Sequence, residues 1–296
     1  MKLATFSPLS GGDARPGILL ADKRLIDIPA ALAGGPECAS MLAIIRAGAP
    51  MLERLRALAA KAESSTVSLA EVKLHAPIPR PAKNVFCVGW NYLEHFEEGA
   101  QKLQDNRELP KHPVFFSKAP TAVTGPYDTV PFDASISTSL DWEVELGVIL
   151  GKPGKNIREE DAMGHIFGYT VVNDVSWRDL QRRHGGQWHK GKSLDGTCPM
   201  GPCIVTADDI DPANLRVACR VNGVTKQDSS TRFLYFKIPR LLSELSLGMT
   251  LEAGDILSTG TPEGVGFART PPEFMKPGDL LETEIEGIGV MRNPIG

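Results

Sequence analysis

Leu140-Asp141-Trp142-Glu143-Val144-Glu145-Leu146-Gly147-Val148-Ile149-Leu150 is the stretch on which the fold turns. Every even position in it is apolar, and the odd positions open with Asp141, Glu143 and Glu145. A period of two marks a β-strand, whose alternate side chains share a face. The apolar face fixes the register, because a slip of one residue would bury the acids. Glu143 and Glu145 are therefore expected as neighbours on one face, where like charges repel and a cation would relieve them. Removing one acid from such a cluster is expected to stabilise the cation-free protein. Taken by itself, the pattern equally describes a half-solvated antiparallel strand with an acidic outer side.

The next strand signal, 166–175, carries Asn173-Asp174 near its end and runs into Ser176-Trp177-Arg178-Asp179-Leu180-Gln181. Alone, Asp174 or Ser176 would simply cap the helix behind it. Three carboxylates on strands, with no Cys or His at matching spacing, are also the ligand set of a hard cation. All-oxygen coordination suits Mg²⁺ or Mn²⁺ and disfavours zinc.

Farther out, short apolar runs at 4–6, 16–20, 25–28, 84–89, 114–117, 204–206, 215–221, 256–259 and 280–285 read as strands. Residues 38–61 switch to helical spacing, with Pro50 at a boundary between two helices. Two more helices are expected near 176–184 and 238–247. Residues 93–104 read as a short helical or mobile segment, and 99–113 as an exposed polar loop. Pro77, Pro79 and Pro81 form a stiff connector, which places a domain boundary near residue 75. The division is then a small N-terminal domain, 1–75, and a larger mostly β domain, 76–296. The 29 Gly and 23 Pro of 296 residues are spread along the chain, as turns in a β-rich fold would spread them.

Composition excludes several classes. With 32 Lys and Arg against 36 Asp and Glu, the net charge of −4 argues against a nucleic-acid partner bound by a basic surface. No apolar run is long enough to span a bilayer, and MKLATFSPLSGG has no sustained apolar core of a secretory signal. Five cysteines without a C-x-x-C pair suit a reduced, cytoplasmic chain.

Six segments, in order along the chain, resemble the fumarylacetoacetate hydrolase family. They are GWNYLEHFEE (89–98), FFSKAP (115–120), LDWEVE (140–145), VVNDVSWRDLQ (171–181), GKSLDGTCPMGP (191–202) and STGTPEGVG (258–266). The resemblance implies a mostly β (α+β) fold: a mixed β-sandwich roll of that family's C-terminal type behind a small N-terminal α+β domain. It also implies homodimers and one divalent cation per subunit, Mg²⁺ or Mn²⁺, held by Glu143, Glu145 and Asp174. Its H-x-x-E pair falls on His95 and Glu98, which an i,i+3 spacing puts on one helix face. Lys192 and Lys118 correspond to lysines beside the substrate. Arg178 and Gln181, with the backbone of Gly260 and with Thr261, would approach a substrate carboxylate. His184 and His189 flank Gly185-Gly186, and the sequence does not place them.

Such a site fits a 2-oxo or 2,4-dioxo acid substrate. The favoured expectation is a C–C hydrolase of the acylpyruvate or fumarylpyruvate type, with His95 and Glu98 activating water and Lys192 stabilising an oxyanion. The alternatives are an oxaloacetate-type decarboxylase or an isomerase/hydratase on the same scaffold. A non-catalytic 2-oxo-acid-binding protein is disfavoured by the complete set of acids together with His95 and Glu98. Residues 99–113 and 269–274 are expected to shape the pocket for the distal group.

Overall fold

Strand Val144–Leu150 lies at the heart of a twelve-stranded mixed sheet in a computed structural model that describes residues 1–61, 66–104 and 108–296. It pairs antiparallel with Ile166–Asn173 on one side (Val144 opposite Asn173) and with Ile256–Ser258 on the other (Gly147 opposite Ser258). Ile256–Ser258 runs parallel to Val85–Gly89, which turns back antiparallel to Val114–Lys118. In the other direction, Ile166–Asn173 is followed by Cys198–Thr206 and then by Lys2–Pro8, Arg15–Leu19, Arg24–Asp27 and Thr66–Ser68. Residues on either side of the 75/76 boundary thus share one sheet, joined where Lys2 faces Val205.

A second, four-stranded antiparallel sheet is ordered Val224–Ser230, Arg216–Val221, Leu280–Ile285, Gly289–Pro294. It packs across the first over a core that includes Trp142, Val144, Leu146, Val171, Val217, Cys219, Leu281 and Met291. Two hydrogen bonds stitch the layers beside the acidic strand: Asn173 Nδ2 donates to Thr283 Oγ1 (3.0 Å), and Val144 N–H to Gln227 Oε1 (3.0 Å). The fold is therefore the strand-rich mixed α+β architecture expected.

Several expectations shift. The run from 140 to 150 is not one strand: Leu140–Asp141 pairs with Ser176–Trp177, and only Val144–Leu150 enters the main sheet. Its acidic side is covered, since Asp141, Glu143 and Glu145 are 0%, 4% and 1% exposed. The alternation marked the faces correctly, but both faces are interior. Because Ser176–Trp177 is a strand, the helix expected from 176 begins at Arg178 and ends at Arg183. Helix Leu93–Leu103 takes over the start of the expected loop, and Gln104 closes it in the left-handed region (φ 51°). Residues 105–107 of that loop lie outside the described residues. Helix Met41–Ala60 breaks at Gly48 (φ 66°, ψ −150°), just before Pro50 as expected. Strands Val224–Ser230 and Gly289–Pro294 were not anticipated. The first, VTKQDSS, is an edge strand whose polar composition protects it from unwanted pairing and hides its β signal.

Candidate active site

Glu143, Glu145 and Asp174 converge where the central strand meets the end of its neighbour: Asp174 N–H donates to the Glu143 carbonyl at 2.8 Å. One carboxylate oxygen from each lies within 4.8 Å of the others, and all three residues are buried. Three cations are packed around them. Lys192 Nζ bridges Glu143 Oε2 (2.6 Å) and Asp174 Oδ2 (2.7 Å). Lys118 Nζ donates to Asp174 Oδ1 (2.8 Å) and to the Val175 carbonyl (3.0 Å). Arg178 pairs through Nη2 with Glu143 Oε1 (2.7 Å) and through Nε with Asp141 Oδ2 (2.7 Å).

The two glutamates feel opposite fields. Burial pushes the Glu143 carboxyl up, but Lys192, then Arg178 and His95, outweigh it and bring it down to about 2. Burial also raises Glu145, and there the charges of Asp174 and Glu143 add to it. Among the described residues Glu145 meets only neutral hydrogen-bond donors, Ser258 Oγ (2.6 Å) and Gly260 N–H (2.9 Å), both to Oε2. Among the described residues four buried acids thus face three cations, and the uncompensated charge sits at Glu145. An all-carboxylate donor set short of positive charge fits a divalent cation with oxygen preference.

Against this cluster stands His95, on helix Leu93–Leu103. Its Nδ1 lies 2.8 Å from Glu98 Oε1, and Glu98 Oε2 accepts the Gly264 N–H at 2.9 Å. The dyad is thereby tied to the 258–266 loop, which also holds Glu145 through Gly260. Residues 84–296, the stretch that supplies all of these groups, match the fumarylacetoacetate (FAA) hydrolase C-terminal family.

The chain belongs to the fumarylacetoacetate hydrolase family.

Among its relatives is an oxaloacetate tautomerase, YisK, of Bacillus subtilis strain 168, 44% identical over 95% of both chains. A fumarylacetoacetate hydrolase from psychrophilic Exiguobacterium antarcticum superposes with a TM-score of 0.84 at 38% identity, over 100% of this chain and 99% of that one. Maleylpyruvate hydrolase from Sphingobium sp. SYK-6, solved with manganese(II) and pyruvate, gives a TM-score of 0.77 at 30% identity, over 100% and 98%.

In this family member the site opens into a cavity of about 130 Å³. His95, Glu143, Glu145, Arg178, Gln181, Lys192 and Thr261 line it. The other candidates stand behind that wall. Glu98 holds His95, Lys118 holds Asp174, and the Gly260 N–H is committed to Glu145. Thr261 Oγ1 accepts from Gln227 Nε2 at 2.8 Å, which fixes its place. His184 and His189 are both exposed and line no part of the cavity; His189 Nδ1 lies 3.0 Å from the Ser117 carbonyl.

Sequence reasoning passed over two groups. Asp141, expected merely to continue the acidic face, pairs with Arg178 and accepts the N–H groups of Gly266 (2.7 Å) and Phe267 (2.9 Å). Trp90, Phe116, Trp188 and Phe267 form aromatic walls of the cavity. Trp90 and Trp188 lie inside or next to segments already singled out, and that proximity was the available signal.

Lys192 reaches the acids because helix His189–Lys192 packs backbone to backbone on helix Arg178–Arg183. A Cβ on Gly191 would stand 2.2 Å from Gln181 N and 2.7 Å from the Trp177 carbonyl. Neither neighbour is a flexible side chain, so the two helices must part. Gly191→Ala is expected to cost about 1–3 kcal/mol and to withdraw Lys192 from Glu143 and Asp174. A lowered melting temperature with impaired turnover checks this; wild-type behaviour in both would contradict it.

Proposed function

We propose that the protein is a divalent-cation-dependent tautomerase acting on a 2-oxo dicarboxylic acid of the oxaloacetate type. The observation that carries this reading is His95: its Nδ1 is held by Glu98, and its ring opens on the cavity that Glu143 and Glu145 also line. With Nδ1 engaged, Nε2 is the nitrogen that exchanges protons. A keto–enol interconversion needs one such group. His95 takes a proton from carbon 3, the C2–C3 double bond forms, and the oxygen on carbon 2 gains a proton; the reverse sequence restores the ketone with no net change in composition. Mg²⁺ or Mn²⁺ held by Glu143, Glu145 and Asp174 would supply Lewis-acid polarisation of the 2-oxo group. Lys192, fixed between Glu143 and Asp174 on the cavity wall, adds a positive charge where negative charge develops on the substrate. The 44% identity to an oxaloacetate tautomerase over nearly the whole chain supports the same reading.

A second reading is the C–C hydrolysis of an acylpyruvate. The His95–Glu98 dyad favours it, because the same pair can activate water, and a maleylpyruvate hydrolase shares the fold at 30% identity. The homodimer expected from the family belongs to either reading, and light scattering tests it. Among the described residues, no helix is long and apolar enough to cross a membrane.

Product identity separates the two. With Mg²⁺ or Mn²⁺ added, the protein should accelerate loss of the enol absorbance of oxaloacetate far more than it accelerates release of carbon dioxide. Acetylpyruvate should yield little pyruvate and acetate. Rapid acetylpyruvate cleavage with no effect on the enol would move the assignment to the hydrolase.

A further inference from the structure

Arg178 is spent on the protein itself. Its Nε, Nη1 and Nη2 face Asp141, Gln181 and Glu143 at 2.7, 3.2 and 2.7 Å. These contacts leave few donors free for the role expected of it at a substrate carboxylate. One turn on, Arg182 occupies the same helix face and also lines the cavity. Its partners are different. Among the described residues its guanidinium makes no ion pair. It lies over the Phe267 ring, 5.0 Å from the centroid, and Arg178 stands over the same ring at 4.5 Å. Phe267 is itself fixed, since its N–H donates to Asp141 Oδ2 at 2.9 Å. The stack holds a planar fork of donors on the solvent-facing side of the cavity, suited to a carboxylate. Partial desolvation against the cavity wall and the like charge of Arg178 both act against the charge on the otherwise exposed Arg182, a cost that a bound anion would offset.

Resting on the 2-oxo diacid reading above, we infer that Arg182 receives the distal carboxylate of the substrate and selects a diacid over a monoacid with the same 2-oxo end. A methyl group in that position would leave the fork unpaired, whereas a carboxylate pairs with it directly.

Malate and lactate test this by binding alone. They are stable 2-hydroxy acids that share one end and differ only in the distal carboxylate. Calorimetry on the protein loaded with Mg²⁺ should show malate at least about tenfold tighter than lactate. Arg182→Gln should bring malate to the lactate value and leave lactate within about twofold. Arg182→Lys should retain part of the preference. In turnover, Arg182→Gln should raise the KM for oxaloacetate about tenfold with little change in kcat. The side chain is exposed, so the variants should fold, and a melting curve verifies it. A wild-type protein without a malate preference would overturn the assignment. So would Arg182→Gln with the preference intact, or with lactate affinity lost too. If the preference exists and disappears in Arg182→Gln but oxaloacetate is not turned over, Arg182 keeps its role and the tautomerase reading falls.

Discussion

Exchanging Glu145 for glutamine should abolish turnover yet leave the cation-free protein at least as stable as the wild type. Exchanging Glu143 the same way should abolish turnover and cost stability. Each change removes a charged ligand oxygen from the acid cluster. Loss of several kcal/mol of charge stabilisation corresponds to on the order of 10³-fold or more in rate. The stabilities diverge because the fields on the two residues diverge. Glu143 is the shared partner of Lys192 and Arg178, and removing one member of a buried pair typically costs about 3–5 kcal/mol. Glu145 is bonded to a hydroxyl and a backbone N–H, which an amide oxygen can still accept. Relief of repulsion, which the sequence suggests for loss of Glu143, is thus expected at Glu145 and not at Glu143.

The signs carry into pH dependence. Glu143 is depressed from 4.5 to about 2, so its contribution is complete above 4.5 and is lost as pH falls toward 2. Glu145 is raised, so its burial costs stability at neutral pH, and that cost disappears as pH falls through its folded value. Melting of the cation-free variants at pH 7, with Mn²⁺ titrations by calorimetry, reads both effects. Equal destabilisation by the two exchanges, or wild-type turnover in either, would refute the account.

His95→Ala should slow tautomerisation by about 10²- to 10⁴-fold, the usual contribution of a positioned acid–base group. Cation affinity should change little, since His95 lies outside the carboxylate cluster. Glu98→Gln should have a smaller effect, because an amide can still accept the Gly264 N–H while losing the charge that orients the imidazole. Decarboxylation of oxaloacetate removes no carbon-bound proton and is the internal control, expected to suffer least. Steady-state rates for both reactions in wild type and His95→Ala decide the matter. Unchanged enol–keto conversion in the variant would remove His95 as the proton carrier.

Local patterns made much of this legible. Alternation across 140–150 identified the strand of Glu145 and the side it shares with Glu143, which lies just before that strand, and the i,i+3 spacing of His95 and Glu98 anticipated their contact. What escaped was set by distant pairings. Nothing near Asp141 announces that Arg178, thirty-seven residues on, and the backbone at 266–267 will satisfy it. Nothing near Lys118 shows its ammonium turned inward to Asp174, behind the cavity wall. The closed acidic face escaped for a related reason: alternation reports that two faces differ, but a second sheet and the 258–266 loop decide that both are covered.

The pairing of Lys2 with Val205 and of Leu3 with Ile204 has a consequence for the nascent chain. The partner strand emerges from the ribosome about 200 residues after the first one. At synthesis rates of roughly 5–20 residues per second, that delay is roughly 10–40 s. Arg15–Leu19 and, for residues 5–8, Val72–His75 can dock early, so only the first residues of one edge wait. Lys2 occupies that waiting edge, a charge of the kind that discourages strands of neighbouring chains from adding there. Fragments released before Cys198 would keep the edge open, which makes truncated translation products, more than the finished protein, the species exposed to aggregation.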